Sequence, residues 1–328
     1  MKPAELRKEL KTVTFVTLTP FDKDGNLDLE GYRENIRWIC GKTKNVKLTF
    51  TPTGSNGEFA SLSEEEQKAV MKACIEEVNG RHPVIPGTGR AGTKQTIEIS
   101  KYAQAIGADG VQIILPYYFV PTEEGMINHY KLLSEAIDIG IVVYNNPAFS
   151  KAWIKPNVMK KIIDVCDGKI CGIKENTPHL MLFDAMARAM QEKGIPIQSG
   201  FGEQWYAYQF PWGADGFVSP FGNFFPEYPI ALSEATKNYD FAKIRELLKM
   251  MRPYYDFVGR VTAAHPDTGV MVKPGGSIYG EGNMRFGILK DCMNMMGLRG
   301  GYMRSPLHGC NQKEKDELKE ILKGLKIL

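Results

Sequence analysis

One lysine stands at the end of a short apolar run, in the stretch ICGIKENT at residues 170–177. Ile170, Cys171 and Ile173 are typical of a buried strand, so we expect Lys174 to point into the protein or to lie at its mouth. Lysine is seldom fully buried unless it is paired or chemically used. Burial and nearby cations lower the pKa of an amine, and a neutral amine can attack a ketone to form a Schiff base. The alternative is a structural lysine whose amine reaches solvent.

A tyrosine ends the preceding apolar run in the same way, within VVYNNP at residues 142–147. Neighbouring parallel strands end at the same edge of a sheet, so we expect the phenol of Tyr144 to lie close to Lys174. A phenol within hydrogen-bond reach of a carbinolamine can relay protons during imine formation and carbon–carbon cleavage. Taken alone, Tyr144 would be an ordinary core residue with a satisfied hydroxyl. The lysine one strand later favours the catalytic interpretation.

A polar turn follows another apolar run, in the stretch TPTGSNGEFASL at residues 51–62. The backbone amides of Gly54, Ser55 and Asn56, together with the Ser55 hydroxyl, can hold a carboxylate without a cation. The alternative is a plain turn between a strand and a helix. A ketone acid would present its carboxylate to this turn and its ketone to the lysine, so the two features suit one substrate.

Two other kinds of site receive little support. Residues 87–92, GTGRAG, match the G-x-G-x-x-G pattern of dinucleotide sites. Asp109, however, precedes its strand, which places the carboxylate at the wrong end of the sheet for a ribose. The motif also falls in the third strand–helix unit rather than the first. The five histidines form no ligand pair, so we predict neither a nicotinamide cofactor nor a metal.

The elements that must position these residues alternate along the chain. The strand-like runs are apolar throughout, as is typical of parallel strands covered by helices. Ser63 and Glu66 predict a capping box at the start of one helix. We therefore predict an α/β fold, a (β/α)8 TIM barrel over residues 1–225 that carries the active site, with a C-terminal helical extension over 226–328 packed on it. The eight candidate strands are residues 13–20, 46–54, 83–89, 110–116, 140–147, 169–176, 195–200 and 216–220.

The overall composition is that of an ordinary globular protein. Forty-one basic and 38 acidic side chains leave a net charge of +3, with no Lys/Arg run, so neither nucleic acid nor an anionic membrane is an expected partner. The most apolar stretch, residues 111–120, is too short to span a bilayer, and the charged start lacks an apolar signal segment. Six scattered cysteines are expected to be reduced core thiols. These features favour a cytoplasmic location.

Five short motifs together resemble the dihydrodipicolinate synthase / N-acetylneuraminate lyase superfamily. They are GSNGEFASLS, PYY, YNNPA, GIKENT and the late MRSPL, and they occur in the family's order and spacing over nearly the whole chain. The resemblance implies a (β/α)8 barrel with a C-terminal helical region, usually assembled as a homotetramer. It implies a class I enzyme that condenses, cleaves or dehydrates 2-oxo acids through a lysine imine, without any other cofactor.

The resemblance also implies a role for individual residues. Lys174 would form the Schiff base with pyruvate or another 2-oxo acid, and Tyr144 would be the phenol that shuttles protons. Ser55 occupies the hydroxyl position that links this tyrosine to a second one. Tyr118, in PYY, matches that second tyrosine, which in some members reaches the neighbouring subunit's site. Residues 54–56 would bind the carboxylate of the 2-oxo acid.

Departures from the family pattern bear on the second substrate. Asn56 replaces the family's usual second Ser/Thr in this turn. Phe149 stands where dihydrodipicolinate synthases carry an arginine, which disfavours that activity. Sialic acid lyases place an acidic residue, which binds sugar hydroxyls, where this chain has Gly202. In this stretch Glu203 is the only acidic residue left for that role. The face that we expect to bind substrate includes Phe149, Gly200, Glu203 and Ser219, and further aromatic residues follow at positions 153, 205, 206, 224 and 225.

We therefore expect a cofactor-independent Schiff-base lyase that joins or cleaves pyruvate and an aldehyde, with an acceptor less polar than a sugar. The stretches YNNPAFSKAW and EGNMRFGILKDCM also resemble hydratase-aldolases that release aromatic aldehydes. Three alternatives stay open at this point. One is a dehydratase of 3-deoxy-2-oxo sugar acids that uses the same imine. Another is a dihydrodipicolinate synthase, and the last is a non-catalytic binding barrel.

Overall fold

The computed structural model describes residues 1–265 and 284–328, and its centre is a sheet of parallel strands. The strand order is β2-β1-β7-β6-β5-β4-β3, so neighbours in the sheet are neighbours in the chain except where β1 meets β7. All seven strands are buried along their whole length, which agrees with their continuous apolar sequences. The strands are β1 (Val13–Val16), β2 (Leu48–Thr51), β3 (Gly110–Ile114), β4 (Gly140–Asn145), β5 (Ile170–Glu175), β6 (Ile197–Ser199) and β7 (Gly216–Ser219).

An irregular segment fills the gap between β2 and β3. The amide of Ile85 donates to the Phe50 carbonyl of β2 at 2.8 Å, and the amide of Thr88 donates to the Gln112 carbonyl of β3 at 3.0 Å. Residues 83–89 were predicted as a regular strand, and this prediction is wrong in detail. Pro83 and Pro86 have no N–H to donate, so the ladder is interrupted. The segment still bridges both edges and makes the barrel nearly closed.

Helices connect the strands and surround them. The predicted capping box is confirmed at α3, where the Glu66 amide donates to the Ser63 hydroxyl at 3.2 Å. The helices that precede or follow the strands are α1 (Pro3–Glu9), α2 (Leu29–Lys42), α3 (Glu64–Val78), α4 (Thr93–Ala105), α5 (Glu123–Ala136), α6 (Pro147–Ser150), α7 (Pro156–Val165), α8 (Leu180–Lys193) and α9 (Glu203–Gln209).

The first helix closes the amino-terminal end of the barrel. Leu6 and Leu10 pack with Val142 and Cys171 inside it. Close packing also favours glycine at Gly110, where a Cβ atom would lie 2.5 Å from a terminal methyl group of Leu6 and 2.9 Å from the Gly140 carbonyl oxygen. Apolar side chains therefore plug this end, and active sites of such barrels lie at the carboxyl-terminal end of the strands.

Further helices follow the barrel and pack on it. They are α10 (Glu227–Lys237), α11 (Phe241–Met250), α12 (Arg252–Ala264), α13 (Met284–Met295) and α14 (Gln312–Gly324). One hydrophobic cluster runs from Phe15 of β1 to Leu318 of α14, so the barrel and these helices share a core. The division at residue 225 stays a prediction, and residues 266–283 of the extension lie outside the described part of the chain. No helix among the described residues has both the length and the apolar character needed to cross a membrane.

Candidate active site

Lys174 lies at the carboxyl end of β5 and is buried. Its side chain lines a cavity of about 140 Å³ at the mouth of the barrel, and the residue is only 4 % exposed. Burial lowers the pKa of the Lys174 amine, the neighbouring Tyr144 opposes that change, and the Arg285 guanidinium lowers the pKa further. The amine is therefore neutral more often than an ordinary lysine at the same pH. A neutral amine is the form that attacks a carbonyl carbon.

Tyr144 is the register partner of Lys174 on β4. The Lys174 Nζ atom lies 4.0 Å from the centre of the Tyr144 ring, which confirms that the two side chains are neighbours. The phenol oxygen accepts a hydrogen bond from Asn146 Nδ2 at 2.7 Å. Because this oxygen already accepts that bond, its own proton is available for another group in the cavity.

Asn146 is a site residue that the sequence analysis did not single out. Its Oδ1 atom accepts from the amides of Ala148 and Phe149, at 3.1 and 3.3 Å, and so caps the short helix α6. These two bonds orient the Asn146 side chain so that its Nδ2 group faces Tyr144. The sequence did contain a signal for this cap, because Asn146 directly precedes Pro147. Asn at the N-cap followed by Pro is a typical helix start.

The turn after β2 forms another wall of the cavity. Residues Ser55–Gly57 make one 3₁₀ turn, in which the amides of Gly57 and Glu58 donate to the carbonyls of Gly54 and Ser55 at 3.0 and 3.1 Å. The first amides of such a turn, those of Ser55 and Asn56, have no partner within it. Both residues line the cavity with Lys174. Their amides form the kind of concave donor group that binds a carboxylate.

The turn is held at its far end by a buried ion pair that the sequence did not reveal. Glu58 has a left-handed backbone (φ 54), and its carboxylate is bound by Lys290 Nζ of α13. Lys290 is 1 % exposed and also donates to the Tyr302 carbonyl at 2.7 Å, while the Arg304 amide donates to Glu58 at 3.2 Å. The C-terminal region therefore fixes the conformation of the predicted carboxylate-binding turn.

A buried acid also lines the cavity. Glu203, 2 % exposed, accepts a hydrogen bond from the Ser219 hydroxyl, and burial raises the pKa of Glu203 to about 7. Gly200 lines the same cavity, and a Cβ atom there would lie 1.6 Å from Asn176 Oδ1, so any larger residue would require the Asn176 side chain to move. Ser219 does not line the cavity. It lies behind Glu203 and orients it.

The structure brings together most of the predicted site residues but not all. Lys174, Tyr144, Ser55, Asn56, Gly200 and Glu203 line one cavity. Gly54 lies beside it in the turn. Phe149 lines a neighbouring cavity instead. Tyr118 is 70 % exposed and lies outside both cavities.

The C-terminal helices contribute lining residues that the sequence analysis missed. Tyr254, Tyr255 and Val258 of α12 and Arg285 and Leu289 of α13 reach the Lys174 cavity. They lie 80 or more residues after Lys174 in the chain, and Arg285 and Leu289 belong to the stretch EGNMRFGILKDCM, which gave no indication that they reach the cavity, so tertiary packing brings them there. Among the described residues, no group of His, Cys, Asp and Glu is arranged to hold a metal ion.

The comparisons with known proteins agree with this geometry. The model of the dihydrodipicolinate synthetase family matches residues 9–260. The chain belongs to this family. A 4-hydroxy-tetrahydrodipicolinate synthase of Methanococcus vannielii is 30 % identical over 311 residues, 95 % of this chain and 97 % of that protein. One from Thermotoga petrophila is 29 % identical over 309 residues, with 93 % and 95 % covered.

Solved structures of the family have the same architecture. The dihydrodipicolinate synthase of Oceanobacillus iheyensis superposes with a TM-score of 0.84 at 27 % identity and full coverage of both chains. The dihydrodipicolinate synthase of Bacillus clausii superposes with a TM-score of 0.84 at 27 % identity. The match covers 98 % of this chain and 99 % of that chain. The predicted barrel and the predicted family are therefore confirmed. The chain is a class I, pyruvate-dependent aldolase of this family, a carbon–carbon lyase by class.

Proposed function

We propose that Lys174 forms an imine with pyruvate or a related 2-oxo acid and that the enzyme needs no other cofactor. The observation that carries this proposal is the buried Lys174 amine, with its lowered pKa, placed against Tyr144 in a cavity that also holds the Ser55 turn. Each of these three features supplies one requirement of imine chemistry: a nucleophile, a proton relay and a carboxylate site.

The reaction follows from the positions of these groups. The substrate carboxylate docks on the amides of Ser55 and Asn56 and on the Ser55 hydroxyl. The neutral Lys174 amine attacks C2, and Tyr144 passes a proton to the departing hydroxyl, which leaves as water and gives the iminium. The iminium then accepts the electron pair of the breaking C3–C4 bond of a 4-hydroxy-2-oxo acid. An aldehyde leaves as its hydroxyl loses a proton, and the enamine is protonated at C3 and hydrolysed to pyruvate.

A dehydratase is the second candidate, and the buried acid favours it. The pKa of Glu203 is about 7, so near neutral pH a large fraction of this carboxyl carries a proton. A protonated acid in the same cavity as Lys174 can donate to a leaving hydroxyl, which would expel water without breaking a carbon–carbon bond. Detection of pyruvate as a product of a 4-hydroxy-2-oxo acid distinguishes the lyase from the dehydratase.

The activity named for the relatives is a third possibility for this chain, and one residue disfavours it. The curated relatives bear the name 4-hydroxy-tetrahydrodipicolinate synthase, at about 30 % identity. In this chain the position that the resemblance assigns to an arginine is Phe149, which lines an apolar cavity. A phenyl ring gives no charge partner to the carboxylate of a second substrate.

We also propose that the protein assembles as a homotetramer. Tyr118, Phe119 and Val120 form an exposed apolar run, with side chains 70, 77 and 58 % exposed, and such runs mark interaction surfaces. In an assembly Tyr118 would reach the neighbouring subunit's site. One solved relative, 28 % identical with a TM-score of 0.81, is described as a monomeric variant, so the mass in solution is the decisive measurement. The cytoplasmic location stays a prediction.

Hydrogen exchange of the pyruvate methyl group tests the imine chemistry without knowledge of the aldehyde. Conversion of pyruvate to the enamine on Lys174 exposes its methyl protons to solvent. In deuterated buffer the wild-type enzyme should therefore deuterate pyruvate, as followed by proton NMR, and Lys174→Met should not. If the wild-type enzyme catalyses no exchange, the proposed function is wrong.

A further inference from the structure

The segment that bridges β2 and β3 also contacts the chain just before the Ser55 turn. It contains Gly87, the first glycine of the GTGRAG stretch at residues 87–92, which matches a dinucleotide pattern. The amide of Gly87 donates to the carbonyl of Pro52, the residue that follows β2, at 2.9 Å. The Thr53 hydroxyl donates to the Gly87 carbonyl at 2.9 Å and is shared with the Pro52 carbonyl at 2.7 Å. These hydrogen bonds join Gly87 to the two residues that lead into the turn.

The closeness of this contact leaves no room for a side chain at position 87. A Cβ atom on Gly87 would lie 2.3 Å from the Thr53 carbonyl oxygen and 3.0 Å from the Thr53 carbonyl carbon. Both atoms belong to the backbone, so the clash could be relieved only if the chain before the turn moved. Gly87 therefore allows two backbone segments to approach each other, which accounts for the first glycine of the motif without a nucleotide.

Thr53 has an unusual backbone conformation for a β-branched residue. Its φ angle is 55°, in the left-handed region, where the Cβ atom crowds the following carbonyl oxygen. Such a conformation persists only where the surrounding structure enforces it. Thr53 is 1 % exposed, and Gly87 is the residue of the bridging segment that its hydroxyl contacts. Because Gly54 and the turn Ser55–Gly57 follow directly, this conformation sets the direction in which the chain enters the turn.

The segment around Gly87 is itself anchored to the barrel on its other side. The amide of Thr88 donates to the Gln112 carbonyl of β3 at 3.0 Å, and the Thr88 hydroxyl accepts from the Ser100 hydroxyl of α4 at 2.8 Å. Thr88 and Ser100 are both fully buried. Gly87 is therefore held in place independently of the turn, and Thr53 is bound to a fixed point.

We propose that Thr53 and Gly87 are positioning residues for the pyruvate site, because their contact aims the Ser55 and Asn56 amides at the substrate carboxylate. This inference rests on the proposed imine function, in which that carboxylate docks on the turn. The buried Glu58 carboxylate holds the far end of the turn, so the turn is fixed at both ends. Neither positioning residue lines the cavity that holds the catalytic amine, so loss of their contact affects pyruvate binding rather than the chemistry.

Methyl exchange measured over a range of pyruvate concentrations tests this role. Thr53→Val removes the hydroxyl but keeps the size and the branching of the side chain. It should raise the KM for pyruvate by at least about 10-fold, which corresponds to the loss of one hydrogen bond to a charged group. The maximal exchange rate should stay close to the wild-type value. Thr53→Ser keeps the hydroxyl and should retain the wild-type KM. Gly87→Ala, whose Cβ atom displaces the Thr53 carbonyl, should raise KM as Thr53→Val does.

Two matched controls separate this role from a general loss of stability. Thr43→Val removes another fully buried hydroxyl, which donates to the Ile39 carbonyl at 2.9 Å, outside the Lys174 cavity. Gly41→Ala adds a Cβ atom where no other atom lies within 4 Å. Both controls should keep the wild-type KM, even where the Tm changes.

The KM values decide between positioning and a purely structural contact. A wild-type KM in Thr53→Val would overturn the proposal, and so would a KM raised equally in Thr53→Ser and Thr53→Val. If Thr53→Val does not fold, Gly87→Ala takes its place, and a wild-type KM there overturns the proposal in the same way. Absence of exchange in the wild-type enzyme would instead refute the imine function and, with it, this inference.

Discussion

The amine of Lys174 lies 4.0 Å from the centre of the Tyr144 ring, and the two residues are register partners on adjacent strands. Two opposing effects act on the pKa of the Lys174 amine at this position. The face of the ring attracts the protonated form, while burial disfavours it. Burial is the larger influence, so the pKa of Lys174 is lowered. The site therefore holds a reactive amine next to a group that can supply its proton.

The rate of imine formation should depend on pH through Lys174. Only the neutral amine attacks, so the rate should rise with pH and level off above the pKa of Lys174, which is below that of an ordinary lysine. Arg285 contributes to the lowering, so Arg285→Gln should move the rise to higher pH. A pH profile of the methyl-exchange rate measures this. A shift to lower pH in the variant would contradict the electrostatic role of Arg285.

Replacement of the catalytic lysine should stabilise the folded protein. The pKa of Lys174 is lowered in the folded state, so at neutral pH the unfolded chain binds its proton more tightly, and this favours unfolding. Lys174→Met removes that penalty, and a difference of one between the two pKa values is worth about 1.4 kcal/mol. Thermal unfolding near pH 7 should show a higher Tm for the variant. The gain should shrink as the pH approaches about 10.4, where the unfolded lysine also loses its proton.

Removal of the phenol oxygen should slow the chemistry without displacing the lysine. Tyr144→Phe keeps the ring beside Lys174, but the proton relay is lost, which typically costs about 10²- to 10⁴-fold in rate. Tyr130→Phe is the matched control, because Tyr130 is also buried and its hydroxyl donates to the Ile113 carbonyl at 3.0 Å, away from the cavity. Single-turnover rates of imine formation compare the two. Equal rates for both variants would exclude Tyr144 as the relay.

The buried pair of Glu58 and Lys290 should support both stability and substrate affinity. Lys290→Met leaves the Glu58 carboxylate buried without its cation, which typically costs about 3–5 kcal/mol. The double variant Glu58→Gln/Lys290→Met should recover much of that loss. Because Glu58 ends the turn that carries Ser55 and Asn56, the double variant should still show a raised KM for pyruvate, with kcat less affected.

A second ion pair between the C-terminal region and the barrel provides the control for that experiment. Arg299 and Glu34 are 3.0 Å apart, and both side chains are about half exposed. Glu34→Gln/Arg299→Gln should cost no more than about 1 kcal/mol and leave KM unchanged. Chemical denaturation and pyruvate kinetics measure both effects. A normal KM in the Glu58/Lys290 double variant would show that the pair is structural only.

The central part of the site could be predicted because it depends on local sequence and on parallel pairing. Lys174, Tyr144 and the Ser55 turn each end an apolar run, and parallel strands bring such ends together. The order of strands in the barrel follows the order in the chain, so residues of consecutive runs become neighbours. The apolar runs and their order along the chain were therefore enough to predict that Tyr144 lies beside Lys174.

Other features depend on tertiary packing and could not be predicted in the same way. Pro83 and Pro86 allow residues 83–89 to bridge the barrel but not to form a regular strand. Arg285 and Lys290 reach the mouth of the barrel because α13 packs across it, and no periodic pattern marks them. Phe149 was expected on the face that binds the substrate, and the short helix α6 places it in the lining of a neighbouring cavity rather than of the Lys174 cavity.

Reduction with borohydride in the presence of pyruvate tests the central claim most directly. Borohydride converts an imine to a stable amine, so peptide mass spectrometry of the trapped enzyme should find one reduced pyruvate on Lys174. The adduct should require pyruvate and should be absent from Lys174→Met. An unmodified Lys174 under these conditions, or an adduct carried by another lysine such as Lys290, would contradict the assignment of Lys174 as the imine-forming residue.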